Sequence, residues 1–295
     1  MEATPLRRLV RSLALAATKA RALGALLAGL ACAGAQAGDM VLFPASVGYT
    51  ASEVTLRAEL HRPEGPGPFP AVVLMHGCGG WQPAVRFTMQ GYAEQFVRSG
   101  FVVLDLDSFG PRRLGNGKVC ESVPKQQDAL QYRTHDAYDA LRYLQSQGFV
   151  DAANVFLMGQ SNGGSVAIKV AKGEDLQDAR GTGAGFRGVV AYYPWCGPFE
   201  GRRQVHLAAP LLVFAGGRDD WVPARECQGV RSSGAELDVI VYPEAAHSFD
   251  LDIVPQRYLG NLVGKEPFAA EDSRRRMLGF FMRFAGERTA RASAL

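Results

Sequence analysis

Short runs of continuous apolar residues alternate along this chain with longer stretches whose apolar positions recur every three or four residues. The runs Ala71 to Met75, Phe101 to Leu106, Asn154 to Met158, Gly188 to Tyr193, Leu211 to Ala215 and Leu237 to Tyr242 read as strands. Between them, Val85 to Ser99, Gln126 to Gln147 and Ser161 to Ala171 carry helical spacing, and Gly100 and Gly148 stop the first two. Ala137, Leu141 and Leu144 mark one face of the second helix. A last amphipathic helix, Asp272 to Ala285, offers Met277, Phe280, Phe281 and Phe284 to the sheet. A hairpin-like segment from Tyr49 to Arg62 leads the set and is closed by the breaker-rich Pro63 to Pro68. This alternation predicts an α/β fold: a mostly parallel sheet of eight or nearly eight strands with helices on both faces.

Composition narrows the picture. The 295 residues are 47% hydrophobic and 21% charged, enough for one sizeable core, and a single catalytic domain is expected over residues 38–295. The net charge is only +3, and Arg7, Arg8, Arg11, Lys19 and Arg21 supply a good part of it near the N-terminus, so nothing here favours nucleic-acid binding. Those basic residues precede an apolar, small-residue run from Ala22 to about Ala35 and the site Ala35-Gln36-Ala37. Basic region, short apolar region and A-x-A site predict a signal peptide over residues 1–37, and hence export to the periplasm or beyond the cell. The apolar run is too short to span a bilayer comfortably, so no stable membrane span is expected after its removal.

Beyond residue 37 four cysteines remain: Cys78, Cys120, Cys196 and Cys227. Their even number suits two disulfides in an oxidising compartment, and spacing alone allows three pairings. They form no C-x-x-C or Cys/His cluster, so neither a metal nor a cofactor is expected.

The chemistry concentrates in Gly159-Gln160-Ser161-Asn162-Gly163-Gly164, directly after an apolar strand and before an alanine-rich helix. That is the strand-turn-helix setting in which G-x-S-x-G lifts a serine hydroxyl above the sheet edge; side chains at Gly159 and Gly163 would collide with backbone. A serine hydroxyl is a weak nucleophile at neutral pH, and needs an imidazole to accept its proton and a carboxylate to hold that imidazole. Of the five histidines, His247 alone lies just beyond the last predicted strand; His61, His76, His135 and His206 sit elsewhere. The acid is expected after the preceding strand, where Gly216-Gly217-Arg218-Asp219-Asp220-Trp221-Val222-Pro223 offers two carboxylates. The pattern G-x-x-D-x-x-V-P selects Asp219, with Asp220 as alternative or as cap of a following helix. Two backbone N–H groups should hold the oxyanion: that of Asn162, next to the serine, and that of Cys78 in His76-Gly77-Cys78-Gly79-Gly80-Trp81.

Phe69 to Gly77, the Gly159 to Gly164 elbow, the Asp219 loop and the His247 loop together resemble the dienelactone hydrolase family of α/β-hydrolases, over nearly all of the chain beyond residue 37. Asp107-Ser108-Phe109-Gly110-Pro111-Arg112, with Cys120 soon after, resembles the members that carry secretion signals. The resemblance implies an α/β-hydrolase fold and hydrolysis of an ester or lactone. In one respect this chain departs: the best-studied dienelactone hydrolases carry a cysteine nucleophile where Ser161 stands, so their substrate is not carried over.

The Cys196 to Pro210 connection, where other α/β-hydrolases insert a lid, is short, and an open cleft without a lid domain is expected. Trp81, Phe109, Trp195 and Trp221 follow strand ends and are candidate pocket walls. Arg112 could grip a substrate carboxylate, although a salt bridge shaping its own loop is the stronger expectation. The same strand-end positions suggest the pairs Cys78 with Cys120 and Cys196 with Cys227. The expected activity is that of a serine hydrolase on small soluble esters or lactones. A prolyl oligopeptidase-like peptidase is disfavoured by the absence of room for an extra domain, and a non-catalytic binding protein by the complete set of reactive groups.

Overall fold

The computed structural model describes residues 38–46, 52–174 and 185–292; the expected signal peptide lies outside them. Twelve strands and four α-helices are present among these residues. In chain order they are β1 (Asp39–Pro44), β2 (Thr55–His61), β3 (Phe69–Met75), α1 (Pro83–Arg98), β4 (Val102–Asp107), α2 (Val123–Gln145), β5 (Val150–Gln160) and α3 (Asn162–Lys172). There follow β6 (Val189–Tyr192), β7 (Gln204–Val205), β8 (Leu211–Gly216), β9 (Arg231–Ser232), β10 (Leu237–Tyr242), β11 (Gln256–Tyr258), β12 (Asn261–Val263) and α4 (Pro267–Ala292).

Eight strands form one sheet in the order β1-β2-β4-β3-β5-β6-β8-β10. From β4 to β10 neighbouring strands are parallel, and β1 and β2 add an antiparallel hairpin at the β4 edge. The predicted α/β-hydrolase architecture is thus present. Its parallel strands are continuous apolar runs because both faces are covered. On β3, Ala71, Val73 and Met75 enter the core shared with α2 and α3, while Val72 and Leu74 enter the core shared with α1 and α4.

Three boundaries differ from expectation. The leading hairpin begins at Asp39 rather than near Tyr49, because β1 pairs Asp39 with Leu60 and Pro44 with Thr55. Helix α2 starts at Val123, where Ser122 caps the Lys125 N–H and Pro124 fits the first turn. Helix α4 starts at Pro267, where the Glu266 carboxylate accepts the N–H groups of Phe268 and Ala269 at 3.3 and 2.6 Å. The β11–β12 hairpin was not foreseen: its three-residue strands are too short to show a period.

Candidate active site

Strand β5 runs straight into α3 through Ser161, which adopts φ 51° and ψ −116°. A non-glycine residue with positive φ stores backbone strain, and here the strain turns the side chain out of the strand-to-helix corner. The flanking glycines are required. A Cβ on Gly159 would strike the carbonyl of Gly163, and one on Gly163 would strike that of Met75. Ser161 N–H donates to Tyr192 O at 2.9 Å, fixing the turn to β6.

The loops after β8 and β10 pack back to back. A Cβ on Gly216 would lie 2.5 Å from Ala245 O, and Arg218 N–H donates to that same oxygen at 2.9 Å. This contact brings Asp219 against His247: Nδ1 lies 2.7 Å from Asp219 Oδ2, and Nε2 lies 2.9 Å from Ser161 Oγ. A carboxylate only accepts, so Nδ1 carries the proton and Nε2 is free to accept from the serine hydroxyl. The other oxygen of Asp219 accepts the Trp221 and Val222 N–H groups at 3.0 and 2.9 Å, which fixes the carboxylate plane. Asp220, the alternative acid, caps no helix. It is exposed, accepts Leu262 N–H at 2.7 Å and pairs with Arg257, tying down the β11–β12 hairpin.

Asn162 is the first residue of α3, so its N–H lacks an intrahelical acceptor. The loop bearing Cys78 approaches from β3: a Cβ on Gly77 would lie 3.1 Å from Ser161 Cβ. One residue holds both segments. Arg133 of α2 is fully buried and donates to Asn162 Oδ1 at 2.7 Å and to His76 O at 2.6 Å. Burial lowers its pKa to about 10, which leaves it protonated at neutral pH. Sequence reading missed Arg133, although an arginine one turn from Leu130 and from Ala137 on a buried helix face was the available signal. His76 is buried as well, and burial, then Arg133, lower its pKa to about 3. It is therefore neutral, its Nδ1 2.7 Å from Gly77 O.

Two cavities meet at Ser161. The larger, about 200 Å³, is lined by Cys78, Tyr193, Trp221, His247, Ile253 and Val263 among others. The second, about 170 Å³, lies against Val123, Leu130, Asn162, Ser165, Trp195 and Trp221. Trp195 lines the second cavity and Trp221 lines both. Three other candidates line neither. Phe109 is wholly buried, its ring under the Arg133 guanidinium and beside His76. Trp81 faces a separate depression, its ring in contact with the guanidinium groups of Arg57 and Arg86 at 5.2 and 4.9 Å. Arg112 is buried with Asp136 in a two-pronged ion pair, both bonds 2.8 Å, and donates to Ser108 O; it cannot reach a substrate without leaving a buried carboxylate unpaired. The short 196–210 connection forms no lid, but the unforeseen β11–β12 hairpin walls one side of the larger cavity through Gln256, Tyr258 and Val263.

Cys78 is bonded to Cys120 and Cys196 to Cys227. The first bond fastens the loop that carries the candidate oxyanion donor, and Cys120 itself lines the larger cavity. Behind that cavity lies a second group missed in the sequence. Asp250 is buried and accepts from Tyr92 Oη and Gln160 Nε2 at 2.6 Å each and from Tyr193 Oη at 2.5 Å. Burial, then Asp250, push the Tyr193 phenol well above its ordinary pKa, keeping it a donor. The Tyr193 ring meets the His247 ring edge to face at 4.8 Å.

Residues 56–285 match the model of the dienelactone hydrolase family. A protein of Escherichia coli (strain K12), provisionally named a carboxymethylenebutenolidase, is 32% identical over 87 residues, 28% of this chain and 29% of that protein. The chain thus matches the first curated relatives over less than a third of their length. A Bradyrhizobium protein, provisionally named a 2-oxo-3-(5-oxofuran-2-ylidene)propanoate lactonase, is 24% identical over 65% of this chain and 78% of its own. Among solved structures, the dienelactone hydrolase of Anabaena variabilis ATCC 29413 superposes with a TM-score of 0.55 at 19% identity, over 83% of this chain and 98% of that one. An esterase of Thermogutta terrifontis does so with a TM-score of 0.55 at 16% identity, over 86% and 95%. At such identities the structural likeness speaks to the fold.

Proposed function

Because the chain belongs to the dienelactone hydrolase family, we propose that it is a serine hydrolase cleaving carboxylic ester or lactone bonds of small soluble substrates, with Ser161, His247 and Asp219 as its triad. The observation that carries this reading is the continuous path from Asp219 Oδ2 through His247 to Ser161 Oγ, with contacts of 2.7 and 2.9 Å. Ser161 attacks the carbonyl carbon while His247 Nε2 takes its proton; the carbonyl oxygen becomes an oxyanion held by the N–H groups of Cys78 and Asn162. Collapse breaks the bond to the leaving oxygen, which receives the proton from His247. Water then repeats the sequence on the acyl-enzyme and releases the acid.

Provisional names among the relatives point to lactones that bear a carboxylate. Those names support the reaction class proposed for this chain. Hydrolysis of p-nitrophenyl acetate tests the reading: Ser161→Ala is expected to lower kcat by at least about 10,000-fold. Equal rates for the two proteins would overturn it.

We further propose that the protein is exported and that residues 1–37 are its cleaved signal. In support, the four cysteines beyond residue 37 are all paired, as suits an oxidising compartment. Strand β1 begins at Asp39, so a cut after Ala37 spares the sheet. No helix among the described residues is long and apolar enough to cross a membrane. N-terminal sequencing of the protein recovered from the periplasm or medium is expected to start at Gly38.

A further inference from the structure

The two cavities at Ser161 are chemically alike in one respect and differ in another. Among the described residues, the lining of neither includes an arginine, lysine, aspartate or glutamate side chain. Ser161 and Trp221 belong to both, whereas His247 and Ser248 line only the larger. The difference bears on direction, because the proton taken from Ser161 must be returned to the leaving oxygen, which has to come within hydrogen-bond reach of His247.

We infer that the site is two-armed and built for uncharged esters, the alcohol part lying in the cavity lined by His247 and the acyl part in the cavity between α2 and α3. This rests on the hydrolase reading given above. A cavity of about 150 Å³ holds one benzene ring, so arms of about 200 and 170 Å³ each suit a single ring or a short chain.

The surroundings of the arms set the preference for a neutral substrate. Behind the larger arm, Gln160 Nε2 and the Tyr193 hydroxyl each donate to the buried Asp250, and Asp219 stands behind His247. A substrate carboxylate there would lose water and be repelled by two acidic side chains standing one residue behind the lining. The buried cations on the two helices flanking the smaller arm, Arg133 and Lys169, are committed: Arg133 to Asn162 and His76, Lys169 to Gln131 and Glu174. A carboxylate in that arm would exchange water for neutral groups such as the Gln126 and Gln127 amides, with no cation in the lining to offset its charge, which is costly.

Matched substrate pairs test the inference on the wild-type protein. Methyl 4-acetoxybenzoate and 4-acetoxybenzoate differ by a carboxylate on the alcohol side; methyl phenyl fumarate and monophenyl fumarate differ by one on the acyl side. In each pair the uncharged member is expected to have the higher kcat/KM by at least about tenfold. Charged members turned over equally well or better would overturn the preference. Val222→Trp is expected to lower the ratio of fumarate to acetate turnover for phenyl esters, and Ile253→Trp the ratio of phenyl to methyl acetate turnover. The opposite pattern would overturn the assignment of arms. Binding to Ser161→Ala, read as quenching of tryptophan fluorescence because Trp195 and Trp221 line the arms, separates the two readings. A wild-type protein that hydrolyses no ester while Ser161→Ala binds the neutral members tighter refutes the hydrolase reading and upholds the charge preference. Binding of neither member overturns the two-armed site.

Discussion

The guanidinium of Arg133 donates at 2.7 Å to the side chain of Asn162, the residue whose backbone N–H follows Ser161, and at 2.6 Å to the carbonyl of His76 on the opposite loop. It thereby sets the separation between the two segments proposed to hold the oxyanion. It touches no substrate in this account and acts as a positioning residue. Arg133→Met is expected to lower kcat by about 100-fold, the scale of losing one aimed donor, with a much smaller change in KM. Arg133→Lys, which keeps the charge and one donor, should recover part of that loss. A Met variant that changes stability alone, with kcat intact in the folded fraction, would contradict this role.

What could be read from the sequence and what could not divide along a physical line. Gly159, Ser161 and Gly163 were legible because one strained turn admits few residue types, and His247 because only one histidine followed the right strand. Asp219 was preferred over Asp220 from its place in the loop, and it is Asp219 that meets His247. Phe109 and Trp81 turn away from the cavities because strand-end position does not say which way a side chain turns, whereas Arg112 forms the salt bridge that was its stronger expectation. Asp250 and Arg133 were passed over because their meaning lies in partners 29 to 158 residues away. The β11–β12 hairpin escaped because its register is set by Asp220 and by the pairing of His247 with Val263, contacts distant in the chain.

Asp105 gives a pH test of the core beside this site. Burial, then the nearby Glu59, push its pKa to about 8 from an ordinary 3.8. The native state therefore keeps this proton at pH values where the unfolded chain has released it. Stability from this group is complete below about pH 4 and is lost as the pH rises to about 8. His76 acts in the opposite sense, costing stability as the pH falls from 6.5 toward 3. In Asp105→Asn the fall in Tm between pH 5 and pH 8 is expected to be smaller than in wild type by about 5 °C or more. An identical fall in both proteins would contradict the buried, protonated acid.

The two disulfides should separate stability from activity. They close loops of 42 and 31 residues, and chain entropy gives each about 4 kcal/mol. Replacing either pair by serines is expected to lower urea stability by a similar amount. Only the Cys78/Cys120 replacement should also lower kcat, since that bond fastens the loop proposed to hold the oxyanion. Equal kcat losses from both replacements would contradict this division.

The central claim is that Ser161 is made nucleophilic by His247, and covalent labelling tests it most directly. The wild-type protein is incubated with a fluorophosphonate, and the adduct is located by peptide mass spectrometry. The account predicts one adduct, on Ser161, formed at least about 1,000-fold faster than in His247→Ala. Labelling on another residue, or at the same rate without His247, would contradict it.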